Sequence, residues 1–162
     1  MRLTHHSNYA MRLLMYCALM DKPVCRIADV AEAFGISENH LTKIAQRLSQ
    51  IGVIETVRGR NGGVYLAKAP EDINIGEIIR VTEENLILVE CFAEETNTCP
   101  LTSACRFKRI LHQGLMAFLA VLDGYTLADL VVAPDQLKPL MNLVDAAVDA
   151  QSEGRGTSVS VG

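Results

Sequence analysis

No run of about 18 uncharged apolar residues occurs in this 162-residue chain, which excludes a transmembrane helix. A secretory leader is not expected either. The start MRLTHHSNYAMRLL brings in charged and polar side chains too early and too often for an apolar leader core. The expected compartment is the cytoplasm, where thiols stay reduced. The five cysteines are an odd number, which argues against a disulfide framework. Enzyme signatures are absent as well: no glycine-rich phosphate loop follows a strand, no HExxH pair occurs, and no Ser/His/Asp arrangement is evident. The histidines, His5, His6, His40 and His112, are scattered, and no internal repeat is found. A non-enzymatic protein is expected. Its length suits one domain, or a small domain with an appendage, and can bury a core without disulfide staples.

The net charge of −4 looks wrong for a nucleic-acid binder, but it hides an asymmetry. Up to residue 70 the chain carries nine Lys/Arg against five acids; beyond it, six against fourteen. A basic first half joined to an acidic second half suggests a nucleic-acid-facing module attached to something else.

The patterning agrees. Residues 8–20 read as a helix with little polar surface, with Asn8 as its cap. In 26–34, Ile27, Val30, Ala31 and Phe34 share one face of a short amphipathic helix. Gly35 turns the chain, and Ser37 caps a third helix running to about Gln50, with Leu41, Ile44, Ala45 and Leu48 pointing inward. Helix, glycine turn, helix is the helix-turn-helix pattern, whose second helix enters the major groove. The residues expected to meet DNA from it are Ser37, Asn39, His40, Thr42, Lys43 and Arg47. Gly52 ends that helix. A hairpin follows, VIETVR and VYLAK around GRNGG, in which Asn61-Gly62 is a hairpin signal because both central turn positions favour positive φ. A hairpin directly after a recognition helix is a wing, and Arg58, Arg60 and Asn61 at its tip are expected to reach the DNA backbone or minor groove.

The expected fold is mainly α with a small β-hairpin wing: a winged helix-turn-helix plus a long dimerisation helix. Residues 1–70 form the DNA-binding module, 71–132 a loop and the long helix, 133–150 a C-terminal helix, and 151–162 a flexible tail. Within 103–123, Phe107, Leu111, Gly114, Phe118 and Val121 step by 4, 3, 4, 3, a short coiled-coil-like seam for a homodimer. A dimer would present two recognition helices to the half-sites of double-stranded operator DNA.

Between these parts lie Cys91, Cys99 and Cys105, spaced C-x7-C-x5-C. Three thiolates can serve a structural zinc with a fourth ligand, an iron–sulfur cluster, or a redox disulfide with one spare thiol. Structural zinc favours cysteine pairs about two to four residues apart, and none exists here. The wider gaps suit a loop wrapped around a larger object. Cys17 reads as a small core hydrophobe, and Cys25 has no nearby partner in sequence.

Together, MRLT…NYAMRLLMY, SENHLTKIAQRLSQIG, VRGRNGGVYLAK and ECFAEETNTCPLTSACR resemble the iron–sulfur winged-helix regulators, the family that includes NsrR, RirA and IscR, over about residues 1–132. Within it, ENHLTKI, INIGEIIR and YTLADLV are most similar to the nitric-oxide-sensitive repressors, with the iron-responsive RirA type second. The resemblance implies a homodimer with a [2Fe-2S] or [4Fe-4S] cluster on Cys91, Cys99 and Cys105, and nitric oxide releasing the operator by damaging it. One departure stands out. Asn8 and Lys108 occupy the positions where such regulators usually carry a fourth ligand, an aspartate or a histidine, and a neutral amide is a poor cluster ligand. His5, His6, Glu90, Glu94, Glu95, water or a small thiol are the alternatives. A cluster-free thiol-redox regulator is a further reading. An electron carrier would have no use for Lys43, Arg58 and Arg60.

Overall fold

The computed structural model of the chain describes residues 3–20, 22–59, 62–83, 85–93 and 95–141. The expected tail at 151–162 and half of the expected C-terminal helix lie outside these residues, as do Arg60, Asn61 and Glu94; residues 134–141 are helical.

The first helix, α1 (His5–Leu19), begins earlier than its sequence suggests. Thr4 is the N-cap, and Asn8 lies inside the helix with an exposed side chain. Nothing local caps this end: Thr4 makes no side-chain cap bond and the first turn holds no acid. The acceptor comes from far along the chain, as described below. Ala10, Leu13 and Leu14 are fully buried and make α1 the central strut of the core.

Helices α2 (Ile27–Phe34) and α3 (Glu38–Gln50) form the helix-turn-helix. Gly35 holds φ 61° at the C-cap of α2, a left-handed conformation that costs glycine nothing. Leu41, Ile44, Ala45 and Leu48 are buried, as their period requires. Ser37 stands at the N-cap position of α3, but its side chain makes no cap bond.

The wing is the antiparallel pair β1 (Ile54–Val57) and β2 (Gly63–Leu66), in register Ile54↔Leu66 to Val57↔Gly63. Asn61 of the expected Asn-Gly turn lies outside the described residues; residues 58–62 connect the strands, and of the glycines in this stretch Gly59, not Gly62, has a positive φ, 113°. The amide of Gly62 donates to the Gly59 carbonyl at 2.9 Å. A Cβ on Gly62 would run into the Val57 and Gly59 carbonyls, so glycine serves close approach there. Cys25 extends this sheet through an isolated bridge to Val64.

A 3-10 turn at Pro70–Asp72 leads into α4 (Ile75–Thr82), capped by Asn74, whose side chain accepts from the Glu77 amide at 3.1 Å. The long helix α5 (Arg106–Asp123) starts after Cys105, and α6 (Leu127–Leu130) closes with a capping box from Thr126 and Asp129. The main core draws Ile73, Ile78, Leu127 and Met141 in beside the helix-turn-helix residues. A second core joins Ile75 and Ile79 of α4 to Leu115 and Leu119 of α5.

The seam on α5 needs redrawing. Leu111 and Phe118 are half-buried, and Phe118 packs on the second core, so they do not share a free face with Phe107 and Val121. The exposed apolar stripe is instead Phe107, Ile110, Gly114, Ala117 and Val121, with Phe107 63%, Ile110 53% and Val121 62% exposed. Among the described residues a Cβ on Gly114 would meet nothing within 4 Å, so no contact with them calls for glycine there.

Arg80 of α4 locks onto Asp123 at the end of α5 through paired contacts of 2.5 and 2.7 Å. That hydrogen-bonded partner holds the Asp123 carboxyl below its usual range. A carboxylate depressed in the fold stabilises above its unfolded pKa, about 4, and loses that contribution as pH falls through the lower folded value. Asp123→Asn should therefore lower Tm at neutral pH, with the difference from the parent shrinking below about pH 4. A difference that persisted undiminished in acid would discount the ion pair.

Candidate functional site

Most of the expected DNA-facing residues lie on exposed parts of the helix-turn-helix and wing. Ser37, Asn39, His40, Thr42, Lys43, Arg47 and Arg58 are all exposed. They are not equally free. The Thr42 hydroxyl donates back to the Glu38 carbonyl at 2.8 Å. Arg47 turns its Nε to the Val81 carbonyl of α4 at 3.4 Å. With His6, Lys43, Ile44, Val81 and Thr82, Arg47 lines a cavity of about 350 Å³ between α1, α3 and α4. His40 sits against Tyr9, ring centroids 6.4 Å apart, and Tyr9 in turn stacks on His5. A groove of about 570 Å³ between α2, α3 and the wing is walled by Arg26, Thr42, Gln46, Thr56 and Arg58. Its length of exposed donors suits a phosphate backbone.

The cysteines of interest lie on the segment between α4 and α5. Cys91 is in a 3-10 turn, Glu90–Phe92, whose Phe92 anchors on the second core and meets His112 of α5 edge-on at 6.1 Å. The Cys99 amide donates to the Asn97 side chain at 3.1 Å. The Thr102 hydroxyl donates to the Cys99 carbonyl at 2.8 Å. Cys105 caps α5, its sulfur accepting from the Lys108 amide at 3.3 Å. All three thiols are free and half-buried. In kind, this donor set fits an iron–sulfur cluster: accessible thiols on irregular backbone, one already accepting the sort of amide hydrogen bond that tunes cluster sulfurs. The three are not gathered into one coordination sphere, since no three His, Cys, Asp or Glu side chains converge as a metal-binding group among the described residues. Asn8, His5 and His6 are exposed on the first turn of α1, and Glu90 and Glu95 are exposed on the loop. At Lys108 it is the backbone amide that touches a cysteine.

One residue went unseen in the sequence. Glu83, only 7% exposed, ends α4 and accepts from the Thr4 amide at 2.8 Å, the Thr4 hydroxyl at 3.1 Å and the Ser7 hydroxyl. It supplies the negative charge that the start of α1 lacks. A signal existed: Glu83 continues the Ile75, Ile79 spacing onto the buried face of α4. An acid on an apolar stripe demands a partner.

Among the described residues no helix is long and apolar enough to cross a membrane. Residues 3–133 match the model of the Rrf2 family, described as iron-dependent transcriptional regulators. The chain is similar to the HTH-type transcriptional regulator NsrR of Shouchella clausii, 52% identical over 142 residues, covering 87% of this chain and 95% of that one. Among solved structures it is similar to CymR, the global cysteine regulator of B. subtilis, with TM-score 0.66 and 25% identity over 82% of this chain and 97% of that one. It is similar also to T. potens IscR, with TM-score 0.61 and 29% identity over 81% and 86%. These relatives are regulators rather than enzymes, and their winged-helix fold is the one described above. The chain belongs to the Rrf2 family and is a transcriptional regulator of the NsrR type.

Proposed function

We propose that this regulator is a homodimeric repressor that holds an iron–sulfur cluster through Cys91, Cys99 and Cys105 and releases double-stranded operator DNA in response to nitric oxide. When bound, the cluster supplies an iron centre reactive toward that gas. What carries the reading is where the three-cysteine segment is anchored. It leaves Glu83, which holds the start of α1, and ends at Cys105, which caps α5. A change in the segment can therefore bear on the helix-turn-helix through α1 and on the exposed stripe of α5 at once. A second copy of the chain laid on Phe107, Ile110 and Val121 would set the spacing of the two recognition helices. Reorienting α5 would spoil that spacing.

On the DNA side, Asn39, His40 and Lys43 present donors and acceptors to base edges from the first turns of α3. Arg58, with Arg60 and Asn61 beside it in sequence, meets the backbone. Arg58→Ala is expected to weaken binding across all sequences and to reduce the salt slope by about 1. Lys43→Ala or His40→Ala should change sequence preference, costing on the order of 1–3 kcal/mol at the affected base pair. Competition binding across an operator library at several salt concentrations separates the two effects, and unchanged affinity in all three variants would remove the DNA surface from this face.

The absence of the usual fourth ligand at Asn8 and Lys108 favours one second reading, an iron-responsive regulator whose cluster is easily lost. Anaerobic purification with absorbance, iron and sulfide counts comes first. Titrating that protein with nitric oxide and, separately, with an iron chelator while following DNA binding distinguishes the two signals. A colourless, iron-free protein that still responds to oxidant would replace both with thiol chemistry.

A further inference from the structure

Helix α3 has two unlike sides. Its lysine and arginine, Lys43 and Arg47, line the cavity shared with α1 and α4. Glu38, Thr42 and Gln46, four residues apart, line the groove shared with α2 and the wing. All five side chains belong to exposed residues. The side of α3 that looks toward the wing therefore carries a carboxylate and no cation. The Thr42 hydroxyl is engaged by the Glu38 backbone carbonyl at 2.8 Å. The Glu38 carboxylate itself takes no hydrogen bond and no ion pair among the described residues. Arg26, across the groove, is held by Asp29 at 2.7 Å. An acid at the first residue of a helix suits the positive end of the dipole wherever its side chain points. That role does not account for a free negative charge lining a groove whose other donors suit DNA. Such a charge repels phosphates and weakens binding to every sequence, unless a base offers it a donor.

We propose that Glu38 is a specificity-determining residue, which accepts a hydrogen bond from cytosine N4 at one base pair of the site read by each α3. The proposal rests on the reading of DNA by Asn39, His40 and Lys43 given above and adds to it an acceptor that those residues lack. Glu38 opens α3, and the N-terminal residues of a recognition helix are the ones that meet base edges. In the major groove, donors are offered only by cytosine N4 and adenine N6. Adenine places the N7 acceptor beside its amino group, where it repels a carboxylate; cytosine presents the donor alone. Guanine and thymine offer acceptors, so Glu38 turns them away. The same charge holds back binding to unrelated DNA. One side chain thus favours the right sequence and penalises the wrong ones.

The test is selection from a library of random duplexes by the anaerobically purified full chain, followed by sequencing of the bound DNA. The parent should enrich cytosine at one position that Glu38→Ala leaves without preference, discrimination there falling roughly tenfold. Glu38→Gln should move the preference at that position to adenine, because an amide matches N6 and N7 together. Both variants should also bind a duplex lacking the enriched site more tightly than the parent does, read by fluorescence anisotropy. Lys43→Ala and His40→Ala, run on the same library, keep two failures apart. If they alter preference and the Glu38 variants alter none, the DNA face stands and the role of Glu38 falls. If no variant alters preference, the DNA face falls and takes this proposal with it. A Glu38-dependent preference for guanine or thymine would overturn the proposal. So would a Glu38→Ala protein that melts lower but selects the same sequences as the parent, since the acid would then serve the helix end alone.

Discussion

Serine in place of Cys91, Cys99 or Cys105, one at a time, is expected to strip the anaerobically purified protein of nearly all its iron and visible absorbance. A serine oxygen is a hard, weakly acidic donor, whereas iron–sulfur clusters are held by thiolates. Removing even an outer-shell partner of a ligand costs about 10–100-fold in metal affinity, so loss of a ligand should cost at least about 100-fold. The position of each cysteine adds its own signature. Cys105 also caps α5, and Cys105→Ser keeps a side-chain acceptor for the Lys108 amide, so iron should go while helicity stays. Cys17→Ser serves as the control and should keep its iron, since Cys17 packs on the main core, away from the loop. Iron and sulfide counts per chain decide the matter. Full iron content in any of the three loop variants would take that cysteine out of the ligand set.

Glu83→Ala carries the second large effect. The carboxylate is buried and satisfies the Thr4 amide, the Thr4 hydroxyl and the Ser7 hydroxyl together, and Ser7 is itself only 1% exposed. Alanine removes the carboxylate from the start of α1 and takes this acceptor from Thr4, leaving the Ser7 hydroxyl only Thr82 Oγ1, at 2.8 Å. Losing these hydrogen bonds to a charged group, one of them from the buried Ser7 hydroxyl, costs about 3 kcal/mol in all. For a chain of this size that corresponds to a fall in Tm of roughly 6–12 °C. Glu83→Gln keeps the shape and one acceptor oxygen, so its loss should be about half as large. On the proposed function the residue also ties the cysteine segment to the DNA-binding helices. Folded Glu83→Ala protein should accordingly show a smaller difference in DNA affinity between its iron-loaded and iron-free forms. Thermal melting reads the first consequence and paired binding isotherms the second. An unchanged Tm would mean that water satisfies Thr4 and Ser7 as well as Glu83 does.

Local chemistry made much of this fold legible. The inward face of α3, the left-handed turn at Gly35 and the end of α3 near Gly52, φ 68°, each follow from side-chain period or backbone freedom within a few residues. What escaped depended on distant partners. The start of α1 is set at Thr4 by a carboxylate 79 residues away, so the nearest capping residue in sequence, Asn8, was a misleading guide. At the wing tip the positive φ expected at Gly62 is found instead at Gly59, within a five-residue connection between Val57 and Gly63. On α5 the apolar residues run around most of the helix. Only packing on Ile75 and Ile79 reveals which of them face inward and which form the free stripe. The cysteine segment was legible as a donor set and not as a geometry, since its thiols are spread over irregular backbone that sequence spacing does not fix.

The shared core has a consequence for anyone wishing to retarget this regulator. Ile73, Ile78 and Leu127 are as deeply buried among the helix-turn-helix residues as Leu41 and Leu48 are. The DNA-reading head is therefore not a detachable cartridge. Cutting after the wing would bare the apolar floor on which α1 and α3 rest, and grafting the head onto a foreign sensor would carry that raw surface along. New operator preference is better sought by exchanging the solvent-facing side chains of α3, which can vary without disturbing the floor beneath them.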